Sequence, residues 1–98
     1  MYIEFSKNRL AQAGSSMAEA IRYLGVPGGR KYIQRIAVLK AVDNFNQLFG
    51  HRALQLHLLK GDRAGLYAMR LTGNYRLIIE KIKEDRIRIM DVEDYHGD

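Results

Sequence analysis

The fold turns on residues 75–92, Tyr75-Arg76-Leu77-Ile78-Ile79-Glu80-Lys81-Ile82-Lys83-Glu84-Asp85-Arg86-Ile87-Arg88-Ile89-Met90-Asp91-Val92. Residues 75–82 are rich in β-branched and aliphatic side chains and read as a strand. Lys83-Glu84-Asp85 is a polar turn, and Arg86 to Val92 forms a second strand in which Ile87 and Ile89 alternate with Arg86 and Arg88. The stretch is therefore an antiparallel hairpin. Before it, Thr72-Gly73-Asn74 is a tight-turn signal. It joins residue 75 to a further strand that places Tyr67, Met69 and Leu71 on one face and Ala68 and Arg70 on the other. Lys60-Gly61-Asp62-Arg63-Ala64-Gly65 is turn-rich. From Leu54 the period is again two, with Leu54, Leu56 and Leu58 on one face and Gln55, His57 and Leu59 on the other.

Upstream of Gly50 the spacing becomes helical. Ser16 followed by Glu19 is a capping-box pair. Met17, Ala20, Ile21 and Leu24 recur at i, i+3, i+4, i+7, and Gly25 followed by Pro27 is a stop. A second helix is expected from about Arg30 to Phe49, with Ile33, Ile36, Ala37, Ala41, Phe45, Leu48 and Phe49 inward and Arg35, Lys40 and Asp43 in water. Residues 1–5 allow a short strand. The expectation is an α+β fold: two N-terminal helices packed on one face of a four-stranded, mainly antiparallel sheet, with the opposite face open to bind something.

Length and composition bound the function. Ninety-eight residues make one domain. With 47% apolar and 28% charged residues the chain reads as globular. No apolar run approaches the ~20 residues of a membrane span, and the acidic start Met1-Tyr2-Ile3-Glu4-Phe5 does not read as a signal peptide. Zero cysteines exclude disulfides, thiolate metal sites and cysteine nucleophiles. The compartment that fits is the cytoplasm.

The net charge of +5 favours an anionic partner, and its distribution is uneven. Residues 51–76 carry Arg52, Lys60, Arg63, Arg70 and Arg76 against one acid, Asp62, whereas residues 80–98 carry seven acids and four bases. The three histidines, His51, His57 and His96, lack metal-ligand spacing, and there is no HExxH, no GxxxxGK and no credible Ser/His/Asp set. No metal and no cofactor is expected. His51 reads as a loop residue, His57 as a polar group on a sheet face, and His96 as chain end. A sharper reading joins them. Lys60, Arg70 and Arg76 lie in or beside adjacent strands, next to His57, and a last strand paired beside them brings in Asp94, Tyr95 and His96. Fixed cations stabilise the charge that builds on an attacked phosphodiester. Histidine and aspartate move protons near neutral pH, and an aromatic ring stacks on a base.

The runs Leu56-His57-Leu58-Leu59-Lys60-Gly61-Asp62-Arg63-Ala64-Gly65-Leu66-Tyr67-Ala68-Met69-Arg70-Leu71, Asn74-Tyr75-Arg76-Leu77-Ile78 and Asp91-Val92-Glu93-Asp94-Tyr95-His96 resemble the HigB branch of the RelE/ParE toxin superfamily. The resemblance covers most of residues 51–96 and implies a single toxin domain over 1–98. It implies a ribosome-dependent endoribonuclease that cuts mRNA, without metal, into a 2′,3′-cyclic phosphate and a 5′-hydroxyl. His57, Lys60, Arg76, Asp94, Tyr95 and His96 fall on its active-site positions. His96 would act as base or acid, with Asp94 positioning it or sharing the role, and His57 would be the other proton-transfer group. Lys60, Arg70 and Arg76 would hold the phosphate, and Tyr95 would orient a base or the phosphate. Arg63, Arg86 and Arg88 are further RNA-facing candidates; Asp62-Arg63 also reads as a turn-closing pair, and Arg86/Arg88 as a solvated strand edge. The implied partners are a HigA-like helix-turn-helix antitoxin, the ribosome with its mRNA, and operator DNA reached only through the antitoxin, with no membrane. The family usually has proline where this chain has Leu58, which leaves the placement of His57 and Lys60 to be tested. Two rivals share the fold: a ParE-like inhibitor of DNA gyrase, which needs a protein-binding surface rather than proton-transfer groups, and an inactive module that only binds antitoxin.

Overall fold

A computed structural model describes residues 1–94. Five strands form one mixed sheet in the order β1-β5-β4-β3-β2. They are β1 (Tyr2–Phe5), β2 (His57–Leu58), β3 (Leu66–Arg70), β4 (Tyr75–Lys83) and β5 (Arg86–Asp94). The expected β3–β4–β5 meander is present and antiparallel. The sheet has five strands rather than four, because residues 2–5 pair in parallel with β5, with Ile3 opposite Ile87 and Phe5 opposite Ile89. β5 is thus an interior strand.

Two helices precede β2, α1 (Asn8–Ala13) and α2 (Met17–Ala41). The sequence pattern does not predict α1. It is a single short stretch with no side-chain cap, and it is held from outside: Leu10 is fully buried, and the Tyr32 hydroxyl donates to its carbonyl at 2.7 Å. Ser16 caps α2 as expected, its hydroxyl accepting from the Glu19 N–H at 3.2 Å. Gly25 stops the helix with φ 79° and ψ −179°, a region open only to glycine. The helix resumes at once rather than at Arg30, because Pro27 falls in the first turn, where its missing N–H costs nothing. The two halves, 17–24 and 26–41, press together at Gly29, where an added Cβ would lie 2.6 Å from the Ile21 nitrogen.

The second half ends at Ala41, not Phe49. Asn44 accepts from the Gln47 N–H at 3.2 Å, and the Gln47 side-chain oxygen accepts from the Asp43 N–H at 2.8 Å. These local bonds replace the helix with a 3-10 turn over Phe45–Gly50. The inward face is Tyr32, Ile36 and Leu39; Ala37 and Ala41 are exposed. Phe45 and Leu48 are buried as expected, but Phe49 is half exposed at the rim, edge-on to Phe45 and Tyr67.

The helices cover the face bearing Tyr67, Met69, Leu77, Ile79, Ile87 and Ile89. A β-bulge then shifts the pattern. Ile79 pairs with Ile89 but Ile78 pairs with Asp91, so Met90 is extra. Val92 stays with the core, while Asp91 and Glu93 share the open face with Ile78 and Arg76.

Candidate active site

The strand expected from Leu54 is interrupted at Gln55, although Gln55, His57 and Leu59 share one face and Leu54 and Leu56 pack with the core as expected. Leu54 is buried in a 3-10 turn (Arg52–Leu54), and Gln55 has the left-handed φ of 48°. Only His57 and Leu58 extend the sheet, and Leu58 is 54% exposed on the edge. His57 pairs with Ala68, which pairs with Ile78. The small side chain of Ala68 leaves a hollow on the open face, a pocket of about 270 Å³ lined by His57, Arg63, Arg76, Glu93 and Gln55 among others.

Two of these groups are fixed in ways that matter chemically. His57 Nδ1 lies 2.9 Å from the Gln55 carbonyl. A carbonyl can only accept, so this bond puts the ring hydrogen on Nδ1 and leaves Nε2 as the acceptor of the neutral imidazole. The unusual backbone at Gln55 is what turns that carbonyl toward the ring. Arg76 Nη1 donates to the carbonyls of Thr72 at 2.8 Å and Tyr75 at 3.1 Å. The β3–β4 turn is itself fastened, with Thr72 Oγ1 accepting from the Tyr75 N–H at 3.0 Å. The guanidinium is therefore aimed by a rigid turn.

The other expected site residues are distributed unevenly. Lys60 is exposed, beside the 3-10 turn Gly61–Arg63, and does not line the pocket. Arg63 does line it, in an ion pair with Glu93 that ties this turn to β5. Arg70 is the cross-strand neighbour of Arg76 but lines a different, larger cavity. Asp94 pairs with Tyr75, on the side of the sheet opposite Arg76. Tyr95 and His96 lie outside the described residues. Arg86 and Arg88 do not form an exposed edge: Arg86 bonds Glu4 at 3.2 Å, and Arg88 bonds Glu4 at 3.0 Å and Glu80 at 3.1 Å. Glu4, its carboxyl held below the usual range first by the Arg88 hydrogen bond, is committed to these arginines.

Glu93 is the pocket residue that sequence reasoning passes over. Unbroken alternation from Ile87 and Ile89 puts residue 94, not 93, on the open face, and the extra residue at Met90 reverses this. No local motif announces that bulge. Asp91 is fixed nearby, in an ion pair with Lys7 at 3.3 Å. Among the described residues no three His, Asp or Glu side chains gather as a metal site requires, and no helix is long and apolar enough to cross a membrane.

An imidazole with a lone pair, a fixed guanidinium and a paired carboxylate on an open sheet face suit proton transfer beside an anion. Known proteins agree with the fold. A solved structure of a YoeB/ParE toxin from Agrobacterium tumefaciens superposes with TM-score 0.64 at 15% identity, covering 98% of this chain and 100% of that one. The YoeB–YefM complex from Staphylococcus aureus gives 0.62 at 21%, covering 99% and 98%. YafQ from E. coli strain BL21(DE3) gives 0.53 at 15%, covering 94% and 90%. The chain shares the fold of these solved toxin structures. By sequence, the chain is 33% identical over 60 residues to endoribonuclease HigB of Proteus vulgaris. That match takes in 59% of this chain and 64% of the relative, just under two thirds of its length. No family model matches the sequence.

Proposed function

We propose that the chain is an mRNA-cleaving toxin of a type II toxin–antitoxin pair, of the HigB branch, acting on the ribosome in the cytoplasm. The observation that carries this reading is the pocket in which His57 and Arg76 share the open face of the sheet. In the reaction, a ribose 2′-oxygen attacks the adjacent phosphorus and loses its proton to a base. The P–O5′ bond breaks, and an acid returns a proton to the leaving 5′-oxygen. The products are a 2′,3′-cyclic phosphate and a 5′-hydroxyl, and the residues require no metal for this. His57, with Nε2 as acceptor, supplies one proton-transfer group. His96 supplies the other, with Tyr95 orienting a base. Arg76 stabilises the charge on the phosphorane, and Lys60 adds a point charge from outside the pocket. The Arg63–Glu93 pair acts through position, holding the turn that carries Lys60. A HigA-like helix-turn-helix antitoxin is the inhibitor, through which the pair reaches operator DNA; the solved YoeB–YefM complex supports a partner of this kind.

Expression in a translation extract, with mapping of mRNA 5′ ends, tests the reading. Codon-phased cuts that need the ribosome and fall by about 10²–10⁴ in rate in His57→Ala support it. DNA breaks without mRNA cuts would show a ParE-like gyrase inhibitor, and neither would show an inert antitoxin-binding module.

A further inference from the structure

A second cavity among the described residues is larger than the His57 pocket. It measures about 760 Å³ and lies between the second half of α2 and the β3–β4 turn. Arg30, Lys31, Arg35 and Arg70 line it, and no acidic residue does. None of the four makes an ion pair with a described residue, although Arg22, Arg63, Arg86 and Arg88 all do. Arg35 Nε donates to the Arg70 carbonyl at 3.0 Å, which fixes the guanidinium at the cavity wall. Burial first, and the Arg70 charge second, both lower the pKa of Arg35. Like charges held together without a counter-ion are relieved by an anion.

The cavity also adjoins the candidate active site. Gln55 lines both, and Arg70, on its wall, is the direct cross-strand partner of Arg76, on the wall of the other. The smaller pocket measures about 270 Å³, and an RNA strand continues past the bond being cut. We infer that the cavity bearing Arg30, Lys31, Arg35 and Arg70 holds the single-stranded RNA backbone next to the cleaved phosphodiester, so that the strand runs from Arg76 past Gln55 and Arg70 to Arg35. This rests on the ribonuclease reading and extends it to a second, non-reacting phosphate subsite. The exposed apolar side chain of Val26, with Pro27, gives the wall a surface for a sugar or base. An acidic protein segment is a weaker fit, because nothing would then account for the continuity with the His57 pocket.

The test compares wild type with Arg30→Gln/Lys31→Gln and with Arg35→Gln. Arg30 and Lys31 are exposed, so the double variant keeps its fold even where Arg35→Gln does not. Binding is read by anisotropy on a labelled single-stranded 2′-O-methyl RNA, which cannot be cut, across a salt series. Removing one phosphate-binding cation lowers the salt slope by ~0.7, so the double variant is expected to drop by about 1.4. A 2′-O-methyl dinucleotide, which occupies only the His57 pocket, should bind both proteins alike. Unchanged slope and affinity on the long RNA would overturn the inference, as would equal losses on the dinucleotide. Loss of poly-glutamate binding with RNA binding intact would also overturn it and give the cavity to an acidic protein. Wild-type cleavage in the translation extract is scored separately. Wild type that binds RNA through these cations yet cuts no mRNA sinks the ribonuclease reading and spares the RNA-binding surface.

Discussion

Two regions of this molecule carry arginines at similar density and use them oppositely. Where β1, β5 and β4 adjoin, Arg86 and Arg88 are locked to Glu4 and Glu80. Around the β3–β4 turn and the second half of α2, Arg30, Lys31, Arg35 and Arg70 face a cavity with no carboxylate. The His57–Arg76 pocket sits between them, with the Arg63–Glu93 pair on its wall. A charge count treats all these arginines alike. The two sets differ in whether a carboxylate of the described residues stands against them.

The largest effect is expected at Arg76, in the pocket between these two regions. Arg76→Ala should reduce mRNA cleavage by about 10²–10³, as loss of an oxyanion-stabilising donor does, with the melting temperature near wild type. Next comes Gly25→Ala. It forces a side chain into backbone space reserved for glycine and should cost roughly 1–3 kcal/mol in denaturant unfolding. It should also lower RNA affinity, since Gly25 sets the path of the helix carrying Arg30 and Lys31. Arg88→Ala, in the paired region, should change stability by no more than ~1 kcal/mol and leave RNA salt slopes unmoved. The smallest effect is at Glu4. Its folded pKa is lowered, so its stabilising contribution is present above the ordinary glutamate value of 4.5 and is lost as pH falls through the folded value. Melting curves of wild type and Glu4→Gln should differ above that pH and converge below it.

Much of this was legible in the sequence. The β3–β4–β5 meander followed from alternation at Met69, Leu77, Ile79, Ile87 and Ile89, and the cap at Ser16 and the stop at Gly25 from local chemistry. His57 was set apart from the Leu54 face by parity, and Arg76 was singled out by the family resemblance. The misreadings share one cause: single residues that change the path of the chain for reasons outside their own segment. The bulge at Met90 moved Glu93 to the site and Asp94 away from it. Gln55 in a left-handed conformation ended the expected run from Leu54 and, by the same stroke, oriented His57. Asn44 and Gln47 cut α2 short by out-competing helical bonds. The parallel pairing of β1, and with it the capture of Arg86 and Arg88 by Glu4, depends on contacts more than eighty positions apart in the chain.

The decisive measurement is single-turnover cleavage of ribosome-bound mRNA by three proteins side by side: wild type, Arg76→Ala and Arg88→Ala. Arg76→Ala should lose its rate while Arg88→Ala keeps it. Equal rates for the two variants, or loss in Arg88→Ala alone, would contradict the placing of cleavage at the His57–Arg76 pocket.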